Sequence, residues 1–151
     1  MAKSFVTKLA KAADPIPVFK FWIEIQGIVE AEFKECSGLR LERKVEPVEQ
    51  GGVNDHNYLL PGRNTYGNIV LKYGVTKSNE VWNWYQAGLY DGKVTRKDFS
   101  ILLRGVDGTV VKTWNVVQGF PVKWEGPTLN TADSQVAIET LEIAHHGLTL
   151  A

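Results

Sequence analysis

From Val18 to Gln26 apolar and polar side chains alternate, with Phe19, Phe21, Ile23 and Ile25 on one side and Lys20, Trp22, Glu24 and Gln26 on the other. A period of two residues is that of a strand with one buried face. Gly27 permits a turn, and Val29, Ala31 and Phe33 then alternate with Glu30, Glu32 and Lys34. The pattern predicts a second strand that returns beside the first as a hairpin. After Cys36-Ser37-Gly38, whose glycine predicts a bulge or kink, Leu39, Leu41 and Val45 alternate with Arg40, Glu42 and Lys44.

The regular pattern stops between Pro47 and Asn64, where PVEQGGVNDHNYLLPGRN has the composition of an extended loop or a loosely paired hairpin. Loops beyond roughly 12 to 15 residues are usually functional or disordered. Tyr58, Leu59 and Leu60 are too apolar for a solvated tail, so they need a surface, either that of their own domain or another. Ile69, Leu71 and Tyr73 mark a further strand ending at Gly74. A helix follows: Ser78 is placed to cap it, Glu80 sits in its first turn, and Val81, Trp84, Tyr85 and Leu89 form one apolar stripe that docks on a sheet, with Asp91-Gly92 as the stop. Phe99, Ile101 and Leu103 open the next strand. Gly105 to Gly108 supply its hairpin turn, and Thr109 to Val117 form the returning arm. Phe120 to Trp124 reads as a short extended piece, and Gln135 to His145 as a last strand ending in HHGL. About seven strands and one helix predict a mainly β fold, an antiparallel sandwich or small barrel with one flanking helix.

The 151 residues fit one domain. Such a chain hides roughly 70% of its extended surface, enough for a core without disulfides or metal. The expected organisation is an arm over residues 1–16 and a β domain over 17–151 that carries the long loop at about 47–64. The single Cys36 cannot staple its own chain and agrees with assembly in a reducing cytoplasm. Lys8 and Lys11 interrupt the opening MAKSFVTKLAKAADP, which therefore lacks the apolar stretch of a secretory signal. No run approaches the roughly 18 to 20 apolar residues of a membrane helix, so no stable membrane insertion is expected. A formal charge of zero disfavours gripping nucleic acid through its phosphates and leaves little repulsion between copies.

Catalytic, metal and phosphate motifs are lacking. His145 and His146 are adjacent, so on a strand they point to opposite faces, and His56 lies in the long loop. Cys36 has no sequence neighbour that would activate it. Gly51-Gly52 lacks the lysine and hydroxyl of a phosphate loop. Glu30 and Glu32 share a strand face, an arrangement that suits an acid and base pair and equally a solvated or channel-facing surface. The expectation is a non-enzyme without cofactor. What remains is a set of strands, notably Arg40 to Glu46, charged on one side and only modestly apolar on the other, whose edges need protection or deliberate pairing. Differing surfaces that join head to tail give a closed ring or an open fibre.

The order of motifs resembles the tail tube protein family of contractile phages and related contractile injection systems. The matching pieces are PVFKFWIEIQG with AEFKECSGLRLE, the stretch with GGVND and LLPGRNTYGNIVLKYG, the helix EVWNWYQAG, RKDFSILLRGVDG, KTWNVVQGFPVKW and the terminal VAIETLEIAHHGL. Together they cover nearly all of residues 17–149. The chain departs from the family at His146, where an acid is common, and at Tyr73-Gly74, where a basic residue often precedes the glycine.

The resemblance implies a β-sandwich subunit with one flanking helix, hexameric rings whose inner strands join into a continuous β-barrel, and stacking of those rings into a hollow tube. It implies that the long loop reaches neighbouring subunits, with Glu46, Glu49, Tyr58, Leu59, Leu60 and Arg63 as contact candidates. Lys20, Glu24, Glu30, Glu32 and Lys34 become candidates for the lumen or for ring contacts. The implied partners are further copies of the chain, a sheath protein, baseplate and tube-terminating proteins, and cargo or nucleic acid in a lumen without strong positive charge. The implied location is the cytoplasm during assembly and then a virion tail or phage-tail-like particle. Three alternatives remain open: a tube-like hexamer of type VI secretion, a small β-sandwich carbohydrate-binding module with Trp22, Trp114 or Trp124 stacking on sugars, and a hydrolase with dispersed acids.

Overall fold

One strand of 16 residues, β7 (Val110–Glu125), belongs to both halves of the body. In the computed structural model, which describes residues 20–26, 33–49, 51–52, 57–132 and 136–151, its first part pairs with β6 (Lys97–Arg104) and β9 (Gly147–Leu150), and its last part with β8 (Ile138–Ala144). Beyond β6 lies β1 (Lys20–Ile25); beyond β8 lie β5 (Ile69–Gly74) and β2 (Phe33–Ser37). All these pairings are antiparallel. A separate two-stranded sheet joins β3 (Leu41–Val48) to β4 (Tyr58–Tyr66), and the helix α1 spans Glu80–Gln86.

The bend in β7 falls at Gln118, whose φ of 52° is positive, and at Gly119. The Asp98 carboxylate accepts the Gln118 N–H at 2.8 Å and so fixes the turn of the chain. A Cβ on Gly119 would stand 2.7 Å from the Phe99 ring and 3.1 Å from the Ile143 side chain, one from each half of the body. Only a glycine lets those two side chains close over the bend. Ile23, Ile25, Phe99, Ile101 and Val116 from one half meet Ile69, Leu71, Tyr73, Leu141 and Ile143 from the other in one buried cluster. The period-two pattern therefore marks the inward positions of β1, β5 and β6 correctly.

α1 closes this core through Val81 and Trp84. The Trp84 indole N–H donates to the Thr95 carbonyl at 2.8 Å, and the Trp82 and Trp124 rings meet edge to face at 4.6 Å. The helix is shorter than its stripe predicts: it ends at Gln86, because the chain turns back at Gly88, with φ 98° and Val94 backbone 2.8 Å from where a Cβ would be. Leu89 is thus off the helix and exposed, and Asp91-Gly92 is not the stop. Ser78 does accept the Glu80 amide, at a long 3.4 Å, while Asn79 occupies the capping position without a side-chain bond.

Three other expectations change. The described part of the second strand, β2, pairs with β5 rather than with β1, which pairs with β6; Ile23 and Ile25 lie opposite Ile101 and Phe99. Matching these apolar faces outweighs the short local return; residues 27–32, the arm at 1–16 and His56 lie outside the described residues. Phe120 to Trp124 is continuous with β7, since the bend at Gln118 interrupts the sequence pattern without ending the strand. The last strand stops at Ala144, and the short β9 follows the two histidines, so nine strands are present among the described residues. No helix among them is long and apolar enough to cross a membrane.

Gly119→Ala forces a methyl between two rigid core side chains. It is expected to destabilise the fold by about 1–3 kcal/mol, the cost of an overpacked core. Urea unfolding should show a lower midpoint at unchanged slope.

Candidate functional site

Every residue of β3 is exposed, and so is every residue of β4 except Gly62. An isolated two-stranded hairpin is marginal in water, so this ribbon depends on what holds its root. There Gly38, at φ 85°, passes so close to Asn68 that a Cβ would overlap its carbonyl oxygen. The Gly67 N–H donates to the Arg40 carbonyl at 3.0 Å. His145, only 7% exposed, sits between two carbonyl oxygens: its Nε2 lies 3.0 Å from that of Gly67 and its Nδ1 3.2 Å from that of Gly147. The Tyr66 ring packs on the same imidazole, with centroids 5.4 Å apart. The ribbon is therefore pinned to the body where its two strands meet β5 and the start of β9.

Along the ribbon, Leu41 faces Tyr66, Glu42 faces Thr65 and Arg43 faces Asn64; beyond an irregularity, Val45 faces Pro61, Glu46 faces Leu60, Pro47 faces Leu59 and Val48 faces Tyr58. The extra β4 residue lies at Gly62-Arg63, opposite Lys44, whose carbonyl oxygen would stand 2.9 Å from a Gly62 Cβ. This is a β-bulge, which bends a ribbon and re-aims its side chains. The Arg43 guanidinium Nε–H donates to the Asn64 side-chain oxygen at 2.9 Å across the strands.

Of the two forms open to the stretch at 47–64, the paired hairpin is the one adopted, and β3 and β4 extend it back to Leu41 and on to Tyr66. Glu46, Tyr58, Leu59 and Leu60 lie together on its outer half, with Glu49 just past β3 and Arg63 in the bulge. The second group of candidates is dispersed. Lys20 and Glu24 share the outward face of β1, opposite Arg104 and Ser100. Lys34 stands at a register shift of β2 in the other half of the body, and Glu30 and Glu32 lie outside the described residues. Sequence reasoning placed Val45 on a strand whose edge needs pairing, but it did not single out Pro47, Pro61 and Tyr66 as exposed ribbon residues, nor His145 as the pin, for which the sequence held no signal.

Elsewhere, a cleft of about 410 Å³ at the start of α1 is lined by Tyr73, Val81, Trp82, Trp124 and Glu139 among others. The Trp124 indole N–H lies 3.3 Å from the Tyr73 hydroxyl and 3.4 Å from the Glu139 carboxylate. Burial first, and then the bond to Glu139, push the Tyr73 phenol well above its usual range, so it keeps its proton. Burial pushes the Cys36 thiol up to about 11, which makes it a poor nucleophile near neutrality. No group of three or more metal-ligating side chains exists among the described residues.

The family model of T4-like virus tail tube protein gp19 matches residues 17–149, which includes the ribbon and all of the body except the last residue of β9. The chain belongs to that family. No curated protein sequence matches it. Among solved structures, this tail tube family member is similar to a chain of the PVC sheath–tube complex of an extracellular contractile injection system in the extended state. The TM-score is 0.81 at 25% identity, over 93% of each chain. A chain of the PVC sheath/tube terminator structure gives 0.80 at 26% identity, over 91% of this chain and 96% of the other. Hcp1 from Flavobacterium johnsoniae shares the fold more distantly, with a TM-score of 0.61 at 17% identity, over 88% of this chain and 95% of the other. Near the C-terminal end of the body, Arg96 Nη1 lies 2.8 Å from His146 Nε2, with the guanidinium carbon 4.8 Å from the Phe120 ring centre.

The Cys36 shift gives a pH dependence. Its folded value of about 11 lies above the ordinary 9.0, so the unfolded chain ionises first. The stability contributed is complete below about pH 9 and is lost as pH rises toward 11. Urea midpoints are expected to fall over that interval, with a shallower fall in Cys36→Ala, and iodoacetamide should modify the folded thiol slowly at pH 8.

Proposed function

We propose that the chain builds the inner tube of a contractile injection system: hexameric rings, joined by their sheet edges, stack into a rigid hollow conduit. The observation that carries this reading is the ribbon of β3 and β4, a two-stranded sheet exposed over nearly its whole length and outside the core of its own subunit. Such an element is stabilised once another subunit covers it. In this reading Glu46, Glu49, Tyr58, Leu59, Leu60 and Arg63 make contacts between subunits, and Lys20, Glu24, Glu30, Glu32 and Lys34 serve the lumen or the ring joins.

The structures similar to this chain come from a sheath–tube complex, a sheath/tube terminator and a baseplate described as 6-fold symmetrised. They support a sheath, a baseplate and a terminating cap as partners here. The role is mechanical rather than catalytic. A contracting sheath drives the tube through the target envelope as a unit, and backbone hydrogen bonds across subunit joins resist the load. A chain with no net charge gives a wall to which nucleic acid or protein cargo adheres weakly. Assembly takes place in the cytoplasm, and the finished tube becomes part of a phage-tail-like particle acting outside the cell.

Negative-stain microscopy of the purified chain, alone and with a baseplate template, is expected to show rings or hollow rods. Deleting Gly51 to Leu60 should abolish them while leaving the circular dichroism spectrum of a folded β protein. Unchanged rods in the deletion variant would refute the role of the ribbon.

A further inference from the structure

The cleft at the start of α1 gathers three aromatic side chains from three elements: Tyr73 from β5, Trp82 from α1 and Trp124 from the last part of β7. Glu139 of β8 stands opposite Tyr73 in the ladder, so the two side chains share a face. The Tyr73 hydroxyl donates to its carboxylate, and the Trp124 indole N–H lies 3.4 Å from Oε2. A carboxylate has about four lone-pair sites, so two donors fix its place and leave room for a further donor. Trp124 is fixed too: a Cβ on Gly126 would stand 3.0 Å from its ring, and the Trp82 ring meets it edge to face at 74°. Glu80 also borders the cleft, whereas no lysine, arginine or histidine does so among the described residues. Lys123, beside Trp124 in the chain, alternates to the other side of β7 and lies 3.9 Å from Glu125. The lining is thus aromatic, preset and negatively charged.

We infer that the cleft is a binding site for an organic cation with N–H donors, an alkylammonium or alkylguanidinium group, which lies against Trp82 and Trp124 and donates to Glu139. A tryptophan face attracts such a cation electrostatically, more strongly where water is partly excluded. The carboxylate adds a charge-assisted hydrogen bond, the stronger kind. Other ligand classes fit less well. An anion meets two carboxylates and no cation. A purely apolar ligand would cover Glu139 without giving its remaining lone pairs a partner. A sugar finds no pair of parallel ring faces, and the Trp124 N–H that a hydroxyl would use is already turned to Glu139 and to the Tyr73 hydroxyl, 3.3 Å away. Size agrees: about 410 Å³ lies within the roughly 300–1,000 Å³ of small-molecule sites. The site lies on the body, involves no ribbon residue and does not depend on the tube reading.

Calorimetric titration of the full chain with butylammonium and with methylguanidinium reads the cation itself, and a blocked tripeptide with a central lysine reads the same group carried by a protein. Glucose and acetate serve as the neutral and anionic comparisons. Dissociation constants of about 1–10 mM are expected for cations this small. They should rise at least about 10-fold in Glu139→Gln, whose amide oxygen still accepts from Tyr73 and Trp124, and about 3-fold or more in Trp82→Ala. Glu42→Gln, on the ribbon, should bind as the wild type does, and urea midpoints check that each variant folds. Binding of the free cations as well as the peptide assigns a small amine as the ligand; binding of the peptide alone assigns a lysine of a partner chain. No heat with any cation across that range, unchanged affinity in a folded Glu139→Gln, or tighter binding of glucose than of the cations overturns the site.

Discussion

The two halves of the body share a strand, and the shared strand turns the corner on a residue without a side chain. At Gly119 the Phe99 ring and the Ile143 side chain come within the space that a methyl group would need. Their contact lets the inward residues of β1, β6 and β9 pack on those of β5 and β8 as one core. Without that bend β7 would carry a single flat sheet, and the apolar face of each half would lie open. The Asp98 carboxylate, holding the Gln118 amide, makes the bend a defined joint rather than a loose one.

With the core complete inside the body, the ribbon is free of it. None of its residues is buried, and its attachment is a small set of contacts at the root: the close pass of Gly38 under Asn68, the Gly67 bond to Arg40, and His145 between two carbonyl groups. The subunit is therefore two parts with different stabilities. The body holds itself together through its core, while the ribbon has only its own ladder and the contacts at its root, which places it at the low-stability end of the fold.

Where burial follows a simple alternation, the elements were legible from sequence: β1, β5, β6 and the hairpin into β7 appear with their inward residues correctly marked. Three features escaped for physical reasons. The partner of β2 is set by long-range matching of Cys36 and Phe33 to Leu71 and Tyr73, which no local pattern reveals. The unity of β7 is hidden because the φ of Gln118 breaks the phase in mid-strand. The register of the ribbon is hidden because a bulge at Gly62-Arg63 slips the pairing by one residue, so that no single alternation runs along β4. Tyr58, Leu59 and Leu60 stand out in the sequence because a stretch so apolar in a region so rich in turn formers has to meet something, and the structure leaves them exposed on the ribbon. The resemblance to tail tube proteins came from motifs spread over the same span that the family model matches.

The separation of ribbon from core has an evolutionary corollary. Substitutions at the outer, exposed side chains of β3 and β4 remove no buried contact of the core. Duplicated genes encoding this body can then drift along the outer ribbon alone, with no intermediate that loses its core.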